Sequence, residues 1–255
     1  LTRLLAEQNL EAVLTSEGIY LLRVRQPALP SDVLPMLKVT AFSDGEQLAG
    51  YVAHRSTAAT QTSTSIAEVP QSITVLNASR IDGVGEVHLK DVLAYTPGVG
   101  SAPFGADSRY DWFSVRGFDA YLPGIYLDGM LMRNPGMAVW RTENYGAERI
   151  EILRGPSSVL YGMGNPGGIV NIVSKLPTAE TIRELKVQTG SHQRRQVAGD
   201  FSGALNEDAT LLYRLTFLTR NADLPAGRMP DDRLYFAPSL TWAPSAQTKW
   251  TLMAQ

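Results

Sequence analysis

From residue 178 onward, apolar and polar residues alternate along a series of short segments. Because successive side chains of a β-strand point to opposite faces of a sheet, this alternation predicts strands with one apolar and one polar face. Stretches containing Gly, Asn, Asp or Pro at 190–193, 205–209 and 243–247 predict the turns between them. The alternating positions that we assign to five strands are Leu185/Val187/Thr189, Val197/Gly199/Phe201, Leu211/Tyr213/Leu215/Phe217, Tyr235/Ala237/Ser239/Thr241 and Trp250/Leu252.

Two architectures fit this pattern. Strands of about 10 residues with alternating faces, short turns and aromatic residues near their ends are typical of a transmembrane β-barrel. A soluble antiparallel sheet with one face in water shows the same alternation, so the pattern alone leaves both open. No run of about 18 apolar residues occurs, so the sequence predicts no transmembrane helix.

The composition excludes several classes of function. The formal net charge of −2 gives no basic surface for a polyanion, so we expect no nucleic-acid partner. The absence of cysteine excludes disulfide scaffolds and thiolate metal sites. His54, His88 and His192 lie far apart without ligand-like spacing, so we expect no metal site and no resident cofactor.

The sequence also contains no catalytic motif, so we predict no catalytic residue and no enzyme. A G-x-S-x-G sequence is missing. The glycine-rich stretch 162–168 lacks the Lys-Ser/Thr pair of a phosphate-binding loop, and its Pro166 has no amide hydrogen to donate. The density of Gly and Pro here predicts tight turns with unusual backbone dihedral angles instead.

The stretch from residue 66 to 177 carries five short motifs in a fixed order. Strand-like runs at 149–153 and 168–174 flank the glycine-rich stretch, with a helix predicted at 87–95. In order and spacing the series resembles the plug domain of TonB-dependent outer-membrane siderophore receptors. The motifs are EVPQSITVL (68–76), LKDVLAYTPGV (89–99), RYDWFSVRGF (109–118), IYLDGM (125–130) and ERIEILRGPSSVLYGMGNPGGIVNIVSKLP (148–177).

The resemblance implies a fold and its boundaries. Residues 65–177 would form an α+β plug domain, and residues 178–255 the first antiparallel strands of a transmembrane β-barrel. Barrels with a plugged lumen use about 22 strands, so we expect the chain to be truncated after the first of them.

Residues 1–26 resemble the C-terminal end of the small α/β signalling domain found in the signal-transducing subgroup of these receptors. The pattern predicts a helix followed by a strand at 19–25. The residues expected near one face of that helix are Leu4, Leu5, Gln8 and Ala12.

Residues 27–64 are rich in Pro, Ser, Thr and Gln, which is typical of a linker. Inside this linker lies a short β-prone segment that suits strand addition to the sheet edge of a partner. By itself the segment also fits a chance pentamer, but in the receptor family a similar segment upstream of the plug is the TonB box. The residues expected to bind TonB are Leu37, Lys38, Val39, Thr40 and Ala41.

Two arginines are candidates for holding the plug in the barrel. Arg116 and Arg154 each end a predicted strand just before a glycine. In the family the arginines of these two motifs form ion pairs with glutamates of the barrel wall, a geometry that suits the planar guanidinium. We therefore expect plug–barrel ion pairs at both positions, with partners beyond Gln255.

Three loops of the plug are expected to meet the ligand, because they would point outward in the receptor family. They are Ser101–Arg109, Asp119–Pro123 and Met132–Trp140. Their aromatic and Met side chains give adaptable apolar contacts, and arginine can contact the oxygens of a ferric chelate. The alternative is that Phe104 and Trp140 pack inside the plug. The candidate ligand-binding residues are Phe104, Arg109, Tyr121, Arg133, Met137 and Trp140.

The resemblance implies a receptor of the ferrichrome, ferrioxamine or pyoverdine type in the bacterial outer membrane. Its expected ligand is a ferric siderophore, with the hydroxamate type favoured, so that iron is bound only as cargo. TonB, and an anti-sigma regulator contacted by the signalling domain, are the expected protein partners, with the signalling domain and TonB box in the periplasm. The alternatives are a receptor for another cargo (cobalamin, a metal chelate or a sugar) and a mainly regulatory siderophore sensor.

Overall fold

The computed structural model describes residues 10–14, 20–24, 52–85, 88–105, 110–133, 141–162, 165–224, 229–245 and 247–255. The chain divides into two compact units, Leu1–Ala41 and Phe42–Gln255. In these described ranges, no helix has the length and apolar character needed to cross a membrane.

The first unit contains a β-hairpin where the sequence predicts a helix and a strand. Strand β1 (Leu10–Leu14) pairs antiparallel with β2 (Tyr20–Val24). The predicted strand is confirmed, whereas the assignment of Ala12 to a helix is wrong, because Ala12 pairs with Leu22. Apolar periodicity over five residues does not distinguish a helix from a strand, and pairing with β2 decides the outcome. The other residues of the predicted helical face lie outside the described residues.

The second unit begins with a short hairpin and a five-stranded sheet. Strand β3 (Arg55–Ser56) pairs with β4 (Thr64–Ser65), within the tract whose composition is typical of a linker. The sheet has the order β10-β9-β12-β11-β5. Its strands are β5 (Ser72–Asn77), β9 (Ile125–Leu127), β10 (Met130–Leu131), β11 (Ala147–Arg154) and β12 (Gly168–Ser174). The predicted strands at 149–153 and 168–174 are therefore confirmed.

Strand β11 is hydrogen-bonded on both sides, to β12 and to β5, and is buried on both faces. Ile150 and Ile152 point into the main apolar core, and Glu151 points to the opposite face. Three short helices and a three-stranded sheet cover the core. These are α1 (Ala78–Val84), α2 (Leu89–Leu93), α3 (Ser158–Tyr161), β6 (Val99–Ser101), β7 (Phe113–Val115) and β8 (Phe118–Asp119), with 3₁₀ turns at Ile66–Glu68 and Asn144–Gly146.

Two hairpin turns have a left-handed backbone that fixes the direction of their side chains. Between β7 and β8, Arg116 (φ 51°) and Gly117 (φ 83°) both have positive φ. Between β9 and β10, Asp128 (φ 50°) and Gly129 (φ 80°) also have positive φ. Positive φ at both central residues is the type I′ turn, whose twist matches that of paired strands.

The glycine-rich stretch is explained by backbone geometry. Gly168 has φ of 138°, and a Cβ there would collide with the carbonyl oxygen of Leu153 on the neighbouring strand. At Gly167 a Cβ would collide with the carbonyl oxygen of Val115. These two glycines let β12 start directly against β11 and β7, which agrees with the prediction of unusual dihedral angles.

After residue 177 the chain forms a separate antiparallel sheet in sequential order, as the alternation predicts. The five strands are β13 (Ile182–Thr189), β14 (Arg195–Ala204), β15 (Leu211–Asn221), β16 (Arg233–Ser245) and β17 (Thr248–Met253). One face is apolar and largely exposed, and includes Leu185, Val187, Leu234, Phe236, Trp242 and Leu252. The opposite face is polar and contacts the domain that contains the sheet β10-β9-β12-β11-β5. Its buried residues include Gln196, Asp200, Arg214, Thr216 and Arg220.

Candidate functional site

An aromatic cluster forms where the loops after β6 and β8 meet. Trp112 is its centre: its ring centroid lies 4.8 Å from that of Phe104, 5.0 Å from that of Tyr110 and 4.1 Å from that of Tyr121. Phe104 is 67% exposed, so it does not pack inside the domain. Within the described residues, the Trp112 indole nitrogen is buried and has no hydrogen-bond acceptor. We call these four residues the aromatic cluster.

The structure thus brings together two of the predicted ligand residues, Phe104 and Tyr121. Arg133 is exposed at the end of a described range. Arg109, Met137 and Trp140 lie outside the described residues, as does the predicted TonB-binding segment 37–41. Sequence reasoning missed Trp112 and Tyr110, although both stand in the RYDWFSVRGF motif next to the first predicted loop.

Arg154 is held against β5 by neutral acceptors. Its Nε donates to the carbonyl oxygen of Pro97 (2.8 Å), and its Nη2 donates to Thr74 Oγ1 (2.7 Å). Burial lowers the pKa of Arg154, and the positive charge of Arg116 lowers it further. Arg116 is itself exposed at the tip of the β7–β8 turn. Among the described residues neither guanidinium forms an ion pair with a carboxylate, so this end of the domain carries two adjacent positive charges.

Other charged residues do connect the first domain to the second sheet. Asp200 on β14 accepts two hydrogen bonds from Arg214 on β15, at 2.9 Å and 2.8 Å. Lys175, which ends the chain segment leaving β12, donates to the same carboxylate at 2.9 Å. Arg214 also donates to the carbonyl oxygen of Leu176 (2.8 Å) and lies 3.5 Å from Glu148. We call these residues the exit cluster, because they surround the point where the chain leaves the first domain.

A second charged group surrounds the loop between β15 and β16. Asp231 in this loop accepts from Arg141 (2.9 Å) and lies 3.3 Å from His88 Nε2. Burial raises the pKa of Asp231, but His88, Arg141 and Arg220 outweigh it and hold that pKa at about 2. Glu143 lies 3.7 Å from Arg220 and 3.4 Å from Arg233. No sequence pattern indicates this second charged group, because its members are up to 145 positions apart (88 and 233).

Two features stand out among the described residues: an aromatic cluster in the plug loops and charged clusters between the two sheets. Within the described ranges no group of three or more His, Asp or Glu side chains is placed to hold a metal ion. The aromatic cluster gives an exposed apolar surface, and the charged clusters join neighbouring elements by short ion pairs.

Comparison with known proteins identifies both parts of the second unit. Residues 65–169 match the family model of the TonB-dependent receptor plug domain. The chain is 38% identical over 209 residues to the ferrichrome outer membrane transporter/phage receptor of Escherichia coli K12, covering 79% of this chain and 27% of that protein. It is 35% identical over 199 residues to the ferrioxamine B receptor of Salmonella typhimurium, covering 77% and 28% respectively. The chain thus spans little more than a quarter of the length of these relatives.

A solved structure shows the same fold over nearly all of the chain. The receptor FpvA of Pseudomonas aeruginosa bound to a heterologous pyoverdine matches with a TM-score of 0.70 at 22% identity, covering 98% of this chain and 31% of FpvA. The relatives are transporters and receptors rather than enzymes, in agreement with the sequence prediction. Residues 65–169 are therefore a TonB-dependent receptor plug domain, and the chain as a whole is similar to outer-membrane siderophore receptors.

Proposed function

We propose that the chain is part of a receptor that takes up a ferric siderophore across the bacterial outer membrane with energy delivered by TonB. The observation that carries this proposal is the plug domain packed on the polar face of a sheet whose other face is apolar and exposed. Strands with an apolar outer face and a polar inner face are what a lipid-embedded barrel requires.

The aromatic cluster is the proposed plug contribution to the ligand site. Phe104 and Tyr121 present apolar ring surface on a rigid Trp112 base, and Arg133 adds an exposed positive charge. A ferric siderophore has apolar spacers and anionic oxygens, which suit these groups. The similarity to ferrichrome and ferrioxamine receptors supports the hydroxamate type, with iron bound only as cargo.

Arg116 and Arg154 are proposed to pair with carboxylates of the barrel wall. The arrangement that supports this is the exposed Arg116 at φ 51°, a conformation that costs free energy for a non-glycine residue. Type I′ turns favour Asn or Gly at that position, so an arginine there indicates a role for its side chain.

The experiment that tests the proposal uses the full-length receptor in a strain lacking its other siderophore receptors. Uptake is measured with iron-labelled ferrichrome and ferrioxamine B, with cobalt-labelled cobalamin, and with a metal-chelate control that carries its own labelled metal. We expect uptake from at least one hydroxamate siderophore, abolished by Val39→Pro because proline removes the amide hydrogen needed for strand addition. Val39→Ile keeps that hydrogen and serves as the matched control. Uptake that persists in Val39→Pro would refute TonB coupling through this segment.

A mainly regulatory sensor is the second candidate, with an anti-sigma regulator as its partner. It is favoured by the separate unit that contains β1 and β2, in the part of the chain that resembles a signalling domain. A transcription reporter read in parallel with uptake distinguishes the two functions. Induction by a siderophore without uptake would support the sensor and contradict transport.

A further inference from the structure

Glu151 lies at the centre of a hydrogen-bond network that reaches across the domain. Its side chain is 0% exposed, and its Oε1 accepts from the Thr57 amide and from Arg149 Nε, each at 2.9 Å. Its Oε2 accepts from Thr57 Oγ1 (2.9 Å) and from Asn171 Nδ2 (3.2 Å). We call these four residues the anchor site.

The carboxylate is rigidly placed and fully satisfied by four donors. Glu151 sits in mid-strand on β11, opposite Val75 on one side and Asn171 on the other, so its backbone is held by two neighbours. Two of its four hydrogen bonds come from Thr57, which is 94 residues away in sequence. Loss of Thr57 would leave a buried carboxylate with two unused acceptor positions, which is strongly unfavourable.

Residues 55–65, which we call the docked segment, depend on this site for their attachment. Apart from the Thr57 bonds, the segment contacts the sheet through buried Ala58, which packs near Leu153 and Ile169. Gln61 donates to the Leu160 carbonyl oxygen (3.0 Å) at the exposed end. The described hydroxyls of Thr60, Thr62 and Thr64 bond within the segment itself. The Thr60 and Thr64 hydroxyls both donate to the Thr62 carbonyl oxygen, and the three hydroxyls also bond to one another.

Within the part of the chain that the structure describes, Thr57 is also the first such attachment after the predicted TonB-binding segment. It follows Ala41 by 16 residues, an extended reach of about 55 Å. A pull on residues 37–41 would be transmitted along the chain to the docked segment. Among the described residues, the first side-chain hydrogen bonds to the central sheet that carry this load are those between Thr57 and Glu151.

We propose that Glu151 is a positioning residue for transport: it keeps the docked segment on the plug, and release of Thr57 from Glu151 is the first step when the chain is pulled. The proposal rests on the proposed TonB-coupled function. Because β11 is bonded on both sides, a load on Thr57 detaches the docked segment and leaves the central sheet paired.

The test compares Thr57→Val with Thr60→Val in the full-length receptor. Both changes replace a hydroxyl by a methyl group in the same segment, but the Thr60 hydroxyl has no described bond to the sheet. Amide hydrogen exchange, measured without siderophore or TonB, should be about tenfold faster or more at residues 55–65 in Thr57→Val. In Thr60→Val it should be unchanged there except at Thr62, whose amide donates to the Thr60 hydroxyl at 3.4 Å, and it should be unchanged at residues 147–154 in both variants.

Single-molecule pulling from the N-terminus provides the second readout. We expect the lowest-force event to occur at a lower force in Thr57→Val than in the wild type and Thr60→Val. Equal exchange in Thr57→Val and the wild type, or an unchanged first event, would overturn the proposal. Both readouts are independent of uptake, so this failure is distinct from persistent uptake in Val39→Pro, which would overturn the TonB-coupled function.

Discussion

The contact between Gly146 and Tyr235 gives a direct test of how the plug packs on the second sheet. Gly146 ends the 3₁₀ turn Asn144–Gly146, and a Cβ there would overlap the Tyr235 hydroxyl on β16, with the ring carbons Cζ and Cε1 at 2.5 Å and 2.9 Å. The backbone cannot easily retreat, because the Gly146 carbonyl oxygen accepts from the Lys175 amide at 3.0 Å. Gly146→Ala is therefore an overpacking substitution.

We expect Gly146→Ala to lower the free energy of plug unfolding by about 2 kcal/mol, in the usual range for one extra methyl in a packed site. The cause is steric, so removing the obstructing ring should cancel it. In a Tyr235→Ala background the same substitution should change the free energy by less than about 0.5 kcal/mol. Gly190→Ala is the control, because its Cβ would meet only Arg194 carbons at an ordinary 3.9 Å.

Unfolding is followed by urea titration of the detergent-solubilised full-length receptor. A thiol introduced by Val75→Cys reports plug opening, because this position is buried and the described chain has no other cysteine. The measured quantity is the urea midpoint of maleimide labelling. Equal midpoints for Gly146→Ala and Gly190→Ala, or no rescue by Tyr235→Ala, would show that the plug does not seat against β16 as described.

Two further predictions concern charge in the plug. Burial raises the pKa of Asp111 above its usual 3.8, and hydrogen bonds from Thr142 offset this only in part. The folded state therefore binds the carboxyl proton more tightly than the unfolded state does. Stability is highest below the unfolded pKa and falls as the pH rises through the raised pKa of the folded state. Asp111→Asn should therefore raise the plug melting temperature at pH 7 and flatten its decline from acid to neutral pH; a lower melting temperature at pH 7 would contradict the reasoning. Arg116→Gln and Arg154→Gln should each lower the urea midpoint of plug opening relative to Arg183→Gln, which changes an exposed arginine and serves as the control. An unchanged midpoint for Arg116→Gln would refute the proposed ion pairs with the barrel wall.

Local patterns predicted most of the architecture. Alternation located the five strands after residue 177 because burial of one face acts on every second residue. The motif series likewise located the strands of the first sheet. Ala12 was assigned wrongly to a helical face, because the short apolar-rich stretch Leu10–Leu14 fits either period and only pairing with the partner strand distinguishes them.

The charged contacts could not be predicted in the same way. Glu151, Asp200 and Asp231 are ordinary acidic residues in sequence, and their partners are brought to them by strand pairing and chain reversal. The aromatic cluster was half predicted: loop position indicated Phe104 and Tyr121, whereas Trp112 reads as a strand residue whose burial depends on tertiary packing. Long-range pairing therefore decides the parts of the site that sequence patterns leave open.

The bonds between Thr57 and Glu151 also determine how the plug yields under load. A hydrogen bond of 2.9 Å ceases to exist after an extension of about 1 Å, whereas apolar contacts lose their attraction over a longer sliding distance. An attachment of this kind is stiff and brittle: it barely stretches before it fails. Water then solvates the freed carboxylate and slows reattachment. The docked segment should consequently have two mechanical states, attached and detached, with no graded opening between them.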